Sequence, residues 1–154
     1  MYALAASVAV NPEGTLPRLS QDQVWHGLVM KAENAVPFVP GMESCVVIER
    51  YDDGFLREVV LRGDRFRERI TLTAPVQVHF LRVGTTDHAG WVANVISESA
   101  SGLLLTFTFN TNFPGVAPGS PEEATAGAAM RTSYMGAVAA TLAMVRRLAG
   151  EGKL

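Results

Sequence analysis

Residues 55–73 read FLREVVLRGDRFRERITLT, two runs of alternating character joined at Gly63-Asp64. A glycine-containing dipeptide between alternating runs is a strong short-range hairpin signal. With Gly63-Asp64 as the two-residue loop, Arg62 lies opposite Arg65, Leu61 opposite Phe66, Val59 opposite Glu68 and Arg57 opposite Ile70. The reverse face pairs Val60 with Arg67 and Glu58 with Arg69. Side chains alternate between the faces of a strand, so Phe66, Ile70 and Leu72 share an inward face. Arg65, Arg67 and Arg69 share the outward one.

Working upstream, the run Met42–Tyr51 enters the hairpin through Asp52-Asp53-Gly54. A three-residue loop with Gly54 in the left-handed position sets Tyr51 opposite Phe55 and Glu49 opposite Arg57. Cys45, Val47, Glu49, Arg57 and Glu68 then point inward together, which puts three charged groups on an apolar face. Working downstream, Ala74-Pro75, Thr85–Gly90 and Ala100–Gly102 are turn signals. They separate the runs Val76–Val83, Trp91–Glu98 and Leu103–Asn110. Short turns exclude parallel crossovers, so the six runs from Met42 onward form an antiparallel meander.

The flanks are of other kinds. Met1–Asn11 reads as a first strand and Pro12–Pro17 as a turn. Ser20 followed by Gln23 is a capping box, which opens a helix carrying Val24, Trp25, Leu28 and Val29 on its apolar side. Pro37 and Pro40 end helical structure and bracket an apolar plug, Phe38-Val39. Past the proline-rich loop Asn112–Pro121, the segment Glu122–Ala149 has no proline. Met130, Tyr134, Ala137, Val138, Thr141, Leu142, Val145 and Leu148 recur at helical spacing, which predicts one long helix. The fold class is α+β, a curved sheet wrapped on a helix.

The 154 residues fit a single domain spanning 1–154, with 48% hydrophobic residues to build its core. Thirteen Lys and Arg against fifteen Asp and Glu leave a net charge of −2, so no global field draws the chain to nucleic acid or an anionic membrane. Five arginines between Arg57 and Arg69 are offset by Glu58, Asp64 and Glu68, and read as a solvated sheet face. Met1–Val10 lacks a basic head, and Thr132–Val145 is short for a bilayer span. A lone Cys45 excludes an intrachain disulfide and fits a reducing compartment. The expected location is cytoplasmic.

Phosphate loops, zinc-protease helices and nucleophile elbows are missing from the sequence. His26, His79 and His88 are dispersed, so no metal and no cofactor is expected. Asp87-His88 reads as a solvated hairpin tip. Cys45 reads as a small buried hydrophobe. The facing of His79 and Asn94 is open at this level.

Several local motifs carry a family likeness. Gln23-Val24-Trp25-His26-Gly27-Leu28, Lys31-Ala32-Glu33-Asn34, Phe38-Val39-Pro40 and Phe55-Leu56-Arg57-Glu58 resemble the AtaL-like family, within the START/Bet v 1-like (SRPBCC) helix-grip superfamily. The resemblance runs from Val10-Asn11 to the last helix. It implies a seven-stranded antiparallel sheet curved around a long C-terminal helix, with two short helices after the first strand. It also implies a deep cavity for lipids, polyketides or other hydrophobic molecules; some relatives are cyclases or dehydratases and many only bind.

The site expected from these readings is a cavity walled by Val47, Val59, Phe66, Ile70, Val78, Phe80, Leu105, Phe107, Met130 and Tyr134. Arg57, flanked by Glu49 and Glu68, would form its polar floor or else an ion network that fixes strand register. Three functions follow. The first is binding of a hydrophobic small molecule. The second is a polyketide cyclase or dehydratase, with a carboxylate base and Arg57 steadying an enolate. The third is an interaction protein, a homodimer, whose cavity is filled by side chains.

Overall fold

Ser20 closes both halves of its capping box: the Gln23 N–H donates to Ser20 Oγ at 3.2 Å and the Ser20 N–H to Gln23 Oε1 at 3.0 Å. The helix it starts, α1, spans Gln21–Glu33 and follows the first strand, β1 (Tyr2–Ala9). Six strands come next: β2 (Met42–Tyr51), β3 (Gly54–Leu61), β4 (Asp64–Thr73), β5 (Gln77–Val83), β6 (Gly90–Ser99) and β7 (Gly102–Thr111). Helix α2 (Pro121–Gly150) ends the fold, with Ser120 as N-cap and Pro121 in the first turn. The computed structural model describes residues 1–84 and 89–154, so the Asp87-His88 pair lies outside the described residues.

All neighbouring strands are antiparallel, in the order β1-β7-β6-β5-β4-β3-β2. The sheet curls so that one face meets both helices. Val24, Leu28 and Ala32 of α1 and Val138, Leu142 and Val145 of α2 pack on Phe55, Ile70, Val78 and Phe107. This is the expected α+β helix-grip architecture. One detail differs: the second short helix after β1 is a single turn, in which the Phe38 and Val39 N–H groups both donate to Ala35 O. Pro37 brings no N–H, and Pro40 keeps Val39 out of helical conformation.

Two registers also differ from expectation. The β3–β4 turn is centred on Arg62-Gly63, whose φ angles are 53° and 86°. Both are positive, as the mirror-image hairpin turns that match strand twist require, and glycine takes the second central position. Leu61 therefore pairs with Asp64, Val59 with Phe66, Glu58 with Arg67 and Arg57 with Glu68. The shift is two residues, so every side chain keeps its face. Arg65 and Arg67 are outward and exposed, both bonded to Glu58, while Arg69 is half-buried beside Asp53.

The β2–β3 hairpin departs by an odd number. Its loop is Asp52-Asp53, Glu49 pairs with Leu56, and an irregularity between Val47 and Glu49 restores Val47 opposite Arg57. An extra residue in one strand reverses the faces beyond it. Glu49 is therefore exposed, accepting a bond from the Tyr51 hydroxyl at 2.8 Å, and does not flank Arg57. Arg50 takes the inward side instead, over the Phe55 ring and forked onto Glu33 of α1.

The helices cross at Gly27, where a Cβ would lie 2.4 Å from Val145 Cγ2. Gly27→Ala should therefore lose about 1–3 kcal/mol to forced displacement, more than the roughly 1 kcal/mol by which alanine betters glycine in a helix. Urea denaturation measures the net loss, and adding Val145→Ala should recover part of it.

Candidate functional site

The inner stripe of α1 runs Val24, Leu28, Lys31 and Ala32, all buried. Lys31 is the exception in kind: its ammonium donates to Asn94 Oδ1 at 2.7 Å and lies 4.1 Å from the Phe107 ring centre and 5.5 Å from that of Phe80. Burial, with help from the neighbouring Arg57 charge and against the pull of Glu68, brings its pKa down to about 7. An ammonium loses hydration when enclosed, and the neutral amine does not.

Arg57 sits beside it on β3, with all three of its nitrogens bonded. Nε and Nη2 both donate to Glu68 Oε2, at 2.9 and 2.6 Å. Nη1 donates to the carbonyls of Ala32 at 2.8 Å and Lys31 at 3.2 Å, and approaches Cys45 Sγ at 3.7 Å. Those carbonyls belong to the last turn of α1, where a cation complements the helix dipole and satisfies groups with no partner inside the helix. One guanidinium thus links β2, β3, β4 and α1.

Open space begins on the far side of Phe80. Glu68, Phe80, Arg82, Trp91, Val92, Phe109, Met130 and Tyr134 line an inner cavity of about 60 Å3. A groove of about 520 Å3 lies along α2, between Val39, Pro40, Leu61 and Arg62 on one side and Ala129, Met130, Tyr134 and Ala137 on the other. The two spaces share Arg82, Met130 and Tyr134. Tyr134 stacks on Phe109 with ring centres 3.7 Å apart, and burial pushes its phenol well above the usual range. Arg82 lies 4.2 Å from the Phe66 ring centre.

The residues expected at the cavity divide into groups. Glu68, Phe80, Met130 and Tyr134 line it. Val59, Ile70, Val78, Leu105 and Phe107 are buried core, and Val47 packs at the edge of that core. Phe66 borders another notch, of about 450 Å3, with Arg65, Arg67 and Val83, which shares Leu61 and Arg82 with the α2 groove. Arg57 is buried behind the cavity, and Glu49 is outside it. His79 is on the outer face against Trp91, its pKa lowered by partial burial. Asn94 is inward and fully buried. The sequence reading did not include the wall residues Arg82, Trp91, Val92 and Phe109, nor the buried pair behind Phe80, Lys31 and Asn94. The signal for that pair was positional: Lys31 sits four and seven residues past Gly27 and Val24 on the apolar stripe, and Asn94 alternates with Val92 and Ile96.

Among the described residues, no three His, Cys, Asp or Glu side chains converge to hold a metal. No helix among them is long and apolar enough to cross a membrane.

A family model described as "Acetylaranotin biosynthesis cluster protein L" matches residues 4–152. The chain belongs to this AtaL family. No curated protein matches the sequence. Solved structures share the AtaL-family chain's fold. The aromatase/cyclase Zhui from Streptomyces sp. R1128 superposes with a TM-score of 0.67 at 17% identity, covering 96% of this chain and 95% of that one. The di-domain aromatase/cyclase StfQ of the steffimycin pathway gives 0.72 at 10% identity over 97% of this chain, which spans 51% of StfQ. Ara h 8.0201 gives 0.62 at 12% identity, covering 94% and 97% of the two chains.

Proposed function

We propose that this AtaL-family domain binds a hydrophobic, ring-bearing small molecule between its sheet and α2. The observation that carries this reading is the α2 groove, which shares the wall residues Arg82, Met130 and Tyr134 with the inner cavity. Its volume is within the usual range of about 300–1,000 Å3 for ligand pockets, and apolar walls with few polar groups are their common chemistry. Phe80, Phe109 and Tyr134 offer ring faces to a flat ligand. Fold likeness to two aromatase/cyclases and to Ara h 8.0201 supports a helix-grip domain used around small molecules.

Met130→Trp tests it, because the indole fills the junction from a half-exposed position. Displacement titrations with the neutral fluorophore N-phenyl-1-naphthylamine should show at least about a tenfold loss of affinity, equal to 1.4 kcal/mol. The melting temperature should stay within a few degrees. Unchanged affinity would remove the cavity from consideration. Native mass spectrometry of the freshly purified protein would identify a molecule already bound.

A cyclase-type enzyme is the second reading, favoured by the Glu68 carboxylate on the cavity wall near Tyr134. A carboxylate there would remove a proton next to a ligand carbonyl while the phenol hydrogen-bonds the enolate oxygen. Arg57 does not serve to steady that enolate, because it lies outside the cavity lining and all three of its nitrogens are engaged by Glu68 and α1. New aromatic absorbance from a poly-β-keto thioester would carry this reading.

A further inference from the structure

We propose that Lys31 and Asn94 form an acid-recognising end to this site, selecting hydrophobic ligands that bear a carboxylate or an acidic enol over neutral ones of the same shape. The proposal rests on the cavity reading above and adds the chemical class of the ligand.

The first support is an orphaned donor. The ammonium form of Lys31 only donates, so in that form the amide oxygen of Asn94 faces Nζ. Asn94 Nδ2 is then left buried with no acceptor among the described residues. Buried polar groups are nearly always bonded, and a persistent exception needs an explanation. Nδ2 and the remaining N–H bonds of Lys31 make a donor-only cluster, and an anionic oxygen is its strongest complement.

The second support is charge. Among the described residues, the enclosed cluster holds two cations, Lys31 and Arg57, and one carboxylate, Glu68. Both Arg57–Glu68 bonds land on Oε2, while among the described residues Lys31 forms no ion pair and hydrogen-bonds only the neutral amide of Asn94. One further anion would balance the cluster. Phe80 is the element between this pole and the open space: its ring borders the cavity on one side and lies beneath both Lys31 and Arg57 on the other. A ligand acid reaches Lys31 by displacing that ring.

Protonation follows from the groups around Lys31. β3 presents Arg57 and β4 presents Glu68, while β5, β6 and β7 present Phe80, Asn94 and Phe107. Tyr134 of α2 and Arg82 of β5 act on the Glu68 side of the cluster. An anion binds the ammonium form, so its affinity should fall once the amine is neutral.

Paired probes read this directly. Anthracene-2-carboxylate and anthracene-2-carboxamide have the same shape, and their fluorescence reports binding. At pH 6.5 the carboxylate should bind at least tenfold more tightly. From pH 7.5 to 9 its affinity should fall by close to tenfold per unit, while that of the carboxamide stays level. Lys31→Met, and the double variant Lys31→Met/Asn94→Leu that leaves no orphaned amide, should erase the preference and hold carboxamide affinity within threefold. Equal binding of the probes by the native protein would overturn the assignment while leaving the cavity reading intact, as would a preference that survives Lys31→Met. Binding of neither probe would defeat both.

Discussion

Arg57→Met is expected to cost about 3–5 kcal/mol of folding stability, the range found when one partner of a buried ion pair is removed. Its side chain is 5% exposed and that of Glu68 8%. Methionine keeps the unbranched stem but removes every donor. Glu68 then loses both bonds to Oε2, and the last carbonyls of α1 lose their cation. The domain is marginal enough that this is a large share of a typical 5–15 kcal/mol. Urea denaturation at pH 7 measures it as a drop in midpoint with an unchanged slope. Binding of a neutral ligand to the protein that remains folded should be unaffected, because Arg57 does not line the cavity. A loss of only about 1 kcal/mol, as for an ordinary substitution, would mean that Glu68 finds water or Lys31 instead.

The second large effect is on pH. Lys31 titrates near 7 in the folded chain and near 10.5 when unfolded. Between those values the unfolded chain binds more protons, so stability should rise with pH, by up to about 1.4 kcal/mol per unit for one group. His79, also lowered by burial, adds a rise of the same sign below its ordinary value of 6.5. Tyr134 acts oppositely: its phenol is held protonated by burial, so stability is lost as pH climbs past 10. The native protein should therefore be most stable near pH 9–10, above the usual range of roughly pH 5–8. Lys31→Met should raise stability at pH 7 and bring the maximum back toward neutrality, since an apolar residue removes an unbalanced buried charge. Thermal melts from pH 5 to 11 on both proteins would show it; a flat native profile between pH 7 and 10 would contradict the burial of a neutral amine.

Local rules reached a long way in this chain. The capping box at Ser20, the meander from Met42 to Asn110 and the long last helix are set by propensity, spacing and turn chemistry within a few residues of each position. The inward facing of Arg57, Glu68, Phe80 and Tyr134 follows from period-two and helical alternation once the elements are known. Even the two-residue error at Gly63 left the faces of β3 and β4 intact, because a strand repeats every second residue.

Tertiary structure decided the rest. The irregularity at Ile48 reversed one strand end, exchanging Glu49 for Arg50 at the inner face, because strand pairing is fixed by the whole sheet and not by one loop. It also determined what Arg57 does: its guanidinium reaches across 25 residues of sequence to the end of α1, a contact with no local signature. Lys31 and Asn94 stand 63 residues apart, and each alone looks like an ordinary polar residue. Their chemistry arises only where a helix stripe and a sheet face exclude water together, since desolvation belongs to the enclosure and not to the side chain.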